Sequence, residues 1–486
     1  MNRVNASRLA ALAALVLCAP VPAHAQGALT LQDAIALAQK QGLQARAAIG
    51  TRDAARSRDH LFDTQYLPSL SIGGTAPVYT RSITPVTQPD GSTLYLPVQQ
   101  TTAGLTASIL QRVPWTNTTF SFSSALSQVQ RTGTTGVKTW SSTPFSVGIN
   151  QPILRANSQS WDRKQQELRF ESSERRYLEA REDVAIAVTG AFFDLHSAEV
   201  TLANSTKNAA TNDTLYTLNK GRFEVGKIGE NDLLQSELAL LRARSALDDA
   251  KLAYERALSQ FRIALTLQPG APVEISVTAS VSTFDADTTI AVDQARRNAS
   301  AMTDAELNVV GADRAVSEAR WNSGAGGNIS ASYGYNATAA NAPDVYKNLL
   351  DAQQLTLAVQ IPVWQWGAHS AQVEAAKGDR QSATSNAETA RHQLVHNARF
   401  AALGLDQARR ALTIAAKADT VAAKRFEVAY NRYVIGKITI DNLYLAQNEK
   451  DQALTVYVQA LRGYWSAYFL LRKTTLYDFE AGRSIR

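Results

Sequence analysis

Two histidines four residues apart, His392 and His396, have the spacing with which a helix presents imidazoles to zinc. Gln393 stands where a hydrolytic zinc helix carries the glutamate that activates water, so the pair reads as two histidines on a solvated face. Gly324-Ala325-Gly326-Gly327 has the composition of a phosphate-cradling loop. It lies between a helical and a strand pattern, the reverse of the order a phosphate loop needs, and reads as a hinge. Cys18, the only cysteine, falls within the first 25 residues. No catalytic, cofactor-binding or metal constellation emerges, and the chain reads as a non-enzyme without a cofactor.

The elements around these residues begin with an export leader at residues 1–25. It has Arg3 and Arg8, an apolar core from Leu9 to Leu17, and Ala23-His24-Ala25 before Gln26. A lipidated cysteine would need a small residue before Cys18, and Leu17 argues against it. The mature chain then has neither disulfides nor thiolate ligands and depends on packing and assembly. Losing Arg3 and Arg8 takes the formal charge from +6 to +4, too little and too dispersed to argue for nucleic acid. No run of 18 apolar residues follows the leader, so a membrane could be crossed only by a closed barrel.

The organising feature is a sentence written twice. Arg222-Phe223-Glu224-Val225-Gly226-Lys227-Ile228 recurs 210 residues later as Arg432-Tyr433-Val434-Ile435-Gly436-Lys437-Ile438, and Asn231-Asp232-Leu233 recurs as Asp441-Asn442-Leu443. A fixed offset that carries a glycine turn and its apolar flanks marks an internal duplication. Upstream, Val184, Val188, Ala191, Leu195, Ala198 and Leu202 form a 4-3-4-3-4 seam, and the same offset gives Leu394, Ala398, Ala401, Leu405, Ala408 and Leu412. Phe145, Val147 and Ile149 before Pro152 likewise fall on Leu355, Leu357 and Val359 before Pro362.

Taken in order, the mature chain divides into a first repeat at 26–268, a linker at 269–289 and a second repeat at 290–486. Leu29-Thr30-Leu31-Gln32-Asp33-Ala34 opens a helix with a threonine cap that runs to about Thr64. The region 66–152 is poor in charge and alternates with period two, as in Phe120-Ser121-Phe122-Ser123. Such segments suit tilted transmembrane strands, and equally one face of a soluble β-sandwich. Pro89-Asp90-Gly91 and Gly133-Thr134-Thr135-Gly136 read as turns, and Tyr66, Trp115, Trp140, Trp364 and Trp366 lie near segment ends, where an aromatic belt sits.

Long helices are expected from about Ile153 to Gly221 and from Trp364 to Arg432, on the order of 100 Å each. Return helices follow at about 230–267 and 440–476. The second half has one compact hairpin at 328–362. Val292-Asp293-Gln294-Ala295 echoes the opening helix at an offset of 261, so the first strand region carries 51 additional residues. Two strands per half would give four per chain; a further hairpin around Arg112-Val113-Pro114-Trp115 would give six.

These features together resemble the outer-membrane efflux channel family, the TolC type. The carriers are the Leu29-to-Ile35 opening, the strand-proline pairs at Pro152 and Pro362, and the Gly-Lys-Ile turns with Asn231-Asp232-Leu233 and Asp441-Asn442-Leu443. The resemblance implies an α+β membrane protein in which a homotrimer shares a transmembrane β-barrel in outer-membrane lipid and an α-helical barrel of long antiparallel helices across the periplasm of a Gram-negative cell. It implies a duct that exports drugs, metal ions, other small molecules or polypeptides with a periplasmic adaptor and an inner-membrane pump or ABC transporter. It assigns adaptor docking to Arg222, Val225, Gly226, Lys227, Arg432, Ile435, Gly436 and Lys437; the alternative reading makes both glycines simple helix caps and the basic residues partners of helix dipoles. It assigns the periplasmic constriction to Asp232, Asp441, Asn442 and Leu445. Where some members carry aspartates six and nine residues after the second glycine, this chain has Asn442 and Leu445, with Asp441 the nearest acid. The competing class is a trimeric surface, spacer or porin-like protein with no pump.

Overall fold

The computed structural model describes residues 28–132, 136–277 and 284–485. The leader with Cys18, most of the turn read at Gly133-Thr134-Thr135-Gly136 and part of the 269–289 linker lie outside the described residues. Helices α1 (Leu31–Gln41) and α2 (Leu43–Thr64) precede four strands, β1 (Ser69–Thr87), β2 (Thr93–Val113), β3 (Thr118–Thr132) and β4 (Val137–Ile153), and then α3 (Ser158–Glu224) and α4 (Glu230–Ala264). The second half runs α5 (Thr288–Asn298), α6 (Ser300–Asn322), β5 (Gly326–Ala339), β6 (Leu350–Gln360), α7 (Ala368–Val434) and α8 (Ile440–Thr475), and closes with β7 (Tyr477–Asp478) and β8 (Arg483–Ser484).

The duplication holds at the level of element boundaries. Helices α3 and α7 are both 67 residues long, and the starts of α3 and α4 each recur 210 residues later in α7 and α8. Both long helices begin later than the proline positions predict. Pro152 still belongs to β4, Leu154 takes a left-handed φ of 54°, and Asn157 Oδ1 accepts the Ser160 amide to open α3. At the second site Trp366 and Gly367 have φ of 52° and 81° before α7 starts. The Thr30 cap forms as a reciprocal box with Asp33. The opening helix is nevertheless broken at Gly42, whose extended ψ of 146° turns the chain while its amide still bonds the Ala38 carbonyl at 2.8 Å.

The chain forms two compact units. The first comprises Met1–Arg46, Arg181–Phe284 and Leu405–Leu470. Its core includes Phe192, edge-on to Phe193 and Phe261 with ring centroids 5.4 and 6.0 Å away, and buried Leu195 and Leu265. Asn204 and Asn208 each donate a side-chain amide to Asp451 at 2.7 Å. Leu29 exchanges backbone bonds with Glu274 and Ser276, at 2.8 and 2.9 Å, tying the residues before α1 to those after α4.

The second unit comprises Ala47–Ala180, Asp285–Gly404 and Leu471–Arg486. Its helices approach through small residues, with Ala295, Ala299, Leu394 and Ala398 in one cluster and Val316, Ala319 and Ala376 in another. The Glu179 carboxylate accepts both the amide and the hydroxyl of Ser300 at 2.8 Å, which satisfies the start of α6.

This unit also holds one antiparallel sheet in the order β1-β2-β3-β4-β5-β6, so each chain supplies six strands. The β2–β3 turn falls immediately after Arg112-Val113. Adding 210 to Thr118 gives Asn328 in β5, so β3–β4 and β5–β6 are the duplicated hairpins and β1–β2 is the additional one. The registers align Leu70 with Ile109 and Phe122, Phe122 with Val147 and Tyr333, and Ala331 with Leu355. Period-two alternation therefore gathers most of the large apolar side chains of the six strands on one face, where most of them are exposed, while Leu94, Leu96 and Leu110 of β2 and Leu350 of β6 fall on the other face. The opposite face carries Ser71, Ser108, Ser123, Ser146, Ser330 and Thr356. A sandwich would cover the apolar face with a second sheet; among the described residues the only other sheet is the two-residue β7–β8 pair.

Candidate functional site

The two duplicated turns lie in the first unit and have the same geometry. Gly226 and Gly436 have φ of 71° and 73°, which L side chains rarely adopt. Gly226 donates to the Phe223 carbonyl at 2.9 Å and Lys227 to that of Arg222 at 2.8 Å; Gly436 and Lys437 bond Tyr433 and Arg432 at the same two distances. This is a Schellman closure, in which two amides satisfy carbonyls that the helix end leaves free. A Cβ on either glycine would meet nothing within 4 Å, so backbone sign, not crowding, requires glycine. Outside this frame Val225 and Ile435 stand 68% and 64% exposed, and Lys227, Arg432 and Lys437 are exposed beside them.

The turns are equal in backbone but not in side-chain duty. Arg222 donates from Nη2 to the Val434 carbonyl at 2.9 Å, and its guanidinium lies 5.4 Å from the Tyr433 ring centre, so it fastens one turn to the other. Tyr433 is buried with Leu215, Ile440 and Leu443, and its hydroxyl donates to Asn219 Oδ1 at 2.7 Å. The duplication places Phe223 at the equivalent position, exposed and without a hydroxyl. Sequence reading missed Tyr433 and Asn219; the available signal was this Phe-to-Tyr difference inside an otherwise matched turn.

Of the proposed constriction residues, Asp232 lies in the first turn of α4, Asp441 and Asn442 in the first turn of α8, and Leu445 in its second. Asp232 is half-buried; Asp441, Asn442 and Leu445 are exposed. Asp441 Oδ1 accepts from Gln235 Nε2 at 2.6 Å and Asn442 donates to Thr439 Oγ1 at 3.0 Å. Nearby Tyr444 has a buried hydroxyl with no hydrogen-bond partner among the described residues, and burial, with Tyr433 adding to it, pushes its pKa up to about 12.

Neither soluble-chemistry candidate becomes a site. His392 and His396 are both exposed, with His396 against the Phe400 ring at 4.4 Å, and among the described residues no group of three metal-ligating side chains converges. The glycine run is the joint between α6 and β5, where a Cβ on Gly326 would collide with the Arg155 guanidinium. That side-chain end can move aside, whereas a Cβ on Gly327 would lie 2.9 Å from the Ala358 carbonyl oxygen, so backbone approach restricts Gly327.

An internally duplicated chain, with long helices joined by matched turns and a sheet apolar on one exposed face, defines an outer-membrane duct of the kind that serves tripartite efflux. Residues 96–266 and 291–475 match the family model described as outer membrane efflux protein, one match in each repeat. The chain belongs to the outer membrane efflux protein family, whose members are transport channels, not enzymes. No curated protein matches it significantly by sequence. Its fold is similar to that of the outer membrane protein VceC from Vibrio cholerae, at TM-score 0.66 and 13% identity over 94% of this chain and 97% of VceC. It is also similar to the CmeC outer membrane channel of Campylobacter jejuni, at 0.64 and 16% over 93% and 86%. For the open state of the MtrE outer membrane channel of Neisseria gonorrhoeae the values are 0.63 and 14% over 92% and 88%.

Proposed function

We propose that three copies of this chain form the outer-membrane duct, with the sheet in outer-membrane lipid and the Gly226 and Gly436 turns at the periplasmic tip, where they receive the adaptor of an inner-membrane pump. The observation that carries this reading is the turn pair: two rigid Schellman frames hold out Val225 and Ile435, each flanked by an exposed lysine. Exposed aliphatic side chains on an ordered frame are expected at a partner contact, since a helix cap alone needs only the glycine. Arg222 contributes by fixing the spacing of the frames, whereas Lys227, Arg432 and Lys437 are left to meet the partner. Asp232, Asp441, Asn442 and Leu445, at the same end of the helices, form the constriction, with a polar amide and an aliphatic side chain at the two positions where an acidic ring would stand.

Two substitutions test the docking role together. In a Val225→Asp, Ile435→Asp double variant, export by the reconstituted pump is expected to fall at least tenfold while the purified protein keeps the oligomeric size of the parent. Unchanged export would remove the tips from docking, and loss of the oligomer would assign them to folding.

A further inference from the structure

We infer that the membrane pore of this protein is an eighteen-stranded barrel, closed where β1 of each chain pairs with β6 of the next copy. The inference rests on the trimeric reading above and extends it to the seam and to the pore's width. A six-stranded sheet has two open edges, and in lipid every unpaired edge amide and carbonyl costs several kcal/mol, so the edges must find partners. Six strands cannot close on themselves, since the smallest barrels of this kind have eight. The first and last strands of an antiparallel six-stranded sheet run in opposite senses, so β6 of one copy can continue the antiparallel ladder onto β1 of another.

The register supports closure in lipid. Following hydrogen-bonded partners from Ser69 leads through Leu110, Ser121, Gly148 and Ser332 to Gln354, six residues inside the β6 end at Gln360. Ser69 and Gln360 are the ends facing the helices, so they sit at one level when the barrel stands in the membrane. Six residues of about 3.3 Å gained over five steps of about 4.8 Å give a strand tilt of roughly 40°, inside the range of transmembrane barrels.

The additional hairpin belongs to this wall and is not a loop above it. Leu70, Ile72, Leu105 and Ile109 on β1 and β2 continue the apolar face of the other four strands, with Ser71 and Ser108 on the opposite side. On β1 the stretch Ser69–Thr75, which would meet the lower half of β6, contains no proline; Pro77 falls in the bulge between Thr75 and Val78, where a ladder is already interrupted. At this tilt eighteen strands enclose a backbone cylinder roughly 36 Å across, against roughly 24 Å for the twelve that the duplicated hairpins alone would supply.

Cysteine pairs read the seam directly, because the chain's one cysteine lies in the leader region. Ile72→Cys with Leu357→Cys probes β1 against β6, and Phe122→Cys with Leu357→Cys probes the twelve-stranded alternative, in which β3 would take the place of β1. With a thiol crosslinker of about 8 Å reach, enough to span opposite or diagonal pairs, the first pair is expected to give covalent trimers and the second only monomers. Trimers from the second pair, or from neither pair in a protein that is trimeric by mass, overturn the eighteen-stranded barrel and leave the trimer standing. A protein monomeric by mass overturns the trimer as well. Imaging the unsubstituted protein in lipid nanodiscs checks the count independently of any variant: eighteen strands support the inference and twelve refute it.

Discussion

At the scale of single residues, the turns separate what the backbone needs from what the side chains add. Gly436→Ala forces an L residue to φ near 73° in open space, so the expected cost is about 1 kcal/mol. Gly436→Asn, which tolerates that region better, recovers part of it; denaturant midpoints of the extracted protein compare the two. Tyr433→Phe leaves buried Asn219, whose Nδ2 already has no partner among the described residues, without its Oδ1 partner too. The expected loss is about 1–3 kcal/mol, whereas Phe223→Tyr at the matched position is expected to change stability little. His196 packs beside Phe193, and burial holds its pKa below the ordinary 6.5. The unfolded chain takes up that proton first, so this contribution to stability is present above about pH 6.5 and declines as the pH falls toward the depressed folded value. Glu199, whose pKa burial raises, acts in the opposite sense at lower pH. His196→Gln is therefore expected to flatten the dependence of the melting temperature between about pH 7 and 5.5; a slope equal to the parent's would contradict this.

At the scale of elements, alternation in the strands has a one-residue consequence. Leu355 and Thr356 are neighbours on β6 that point to opposite faces, the first 77% exposed on the apolar side. Leu355→Arg is expected to cost about 2–4 kcal/mol of membrane stability, as a cation in mid-bilayer does. It should sharply reduce the amount recovered from outer membranes. Thr356→Arg should assemble normally and shift ion selectivity toward anions. Equal loss from both would mean that the two faces are not lipid and lumen.

The two periodicities and the 210-residue offset were legible in the chain, because burial on a helix or a sheet face repeats with the element's own geometry. Helix starts were less so: Leu154, Trp366 and Gly367 adopt left-handed φ after the prolines, a choice that the surrounding structure makes. The breaks at Gly42 and Ala299 were also hidden, since an extended ψ in mid-helix leaves the apolar pattern on either side intact. Strand count could be bounded at four or six from the extra 51 residues, and pairing registers then decided it. Tyr433 bonding Asn219 across 214 residues of sequence left no local trace.

At the scale of the whole molecule, the family and the sheet make one physical demand. A single chain leaves a largely apolar sheet face and two strand edges open, and the proposed insertion in lipid with closure between copies would satisfy both. The unsubstituted protein, purified in mild detergent and added to a planar lipid bilayer, should give discrete, long-lived conducting steps, each from one assembled particle. The central proposal, a water-filled path made when copies close on one another, predicts those steps from trimeric fractions and none from monomers. A trimeric preparation that inserts into the bilayer and passes no ions would contradict it.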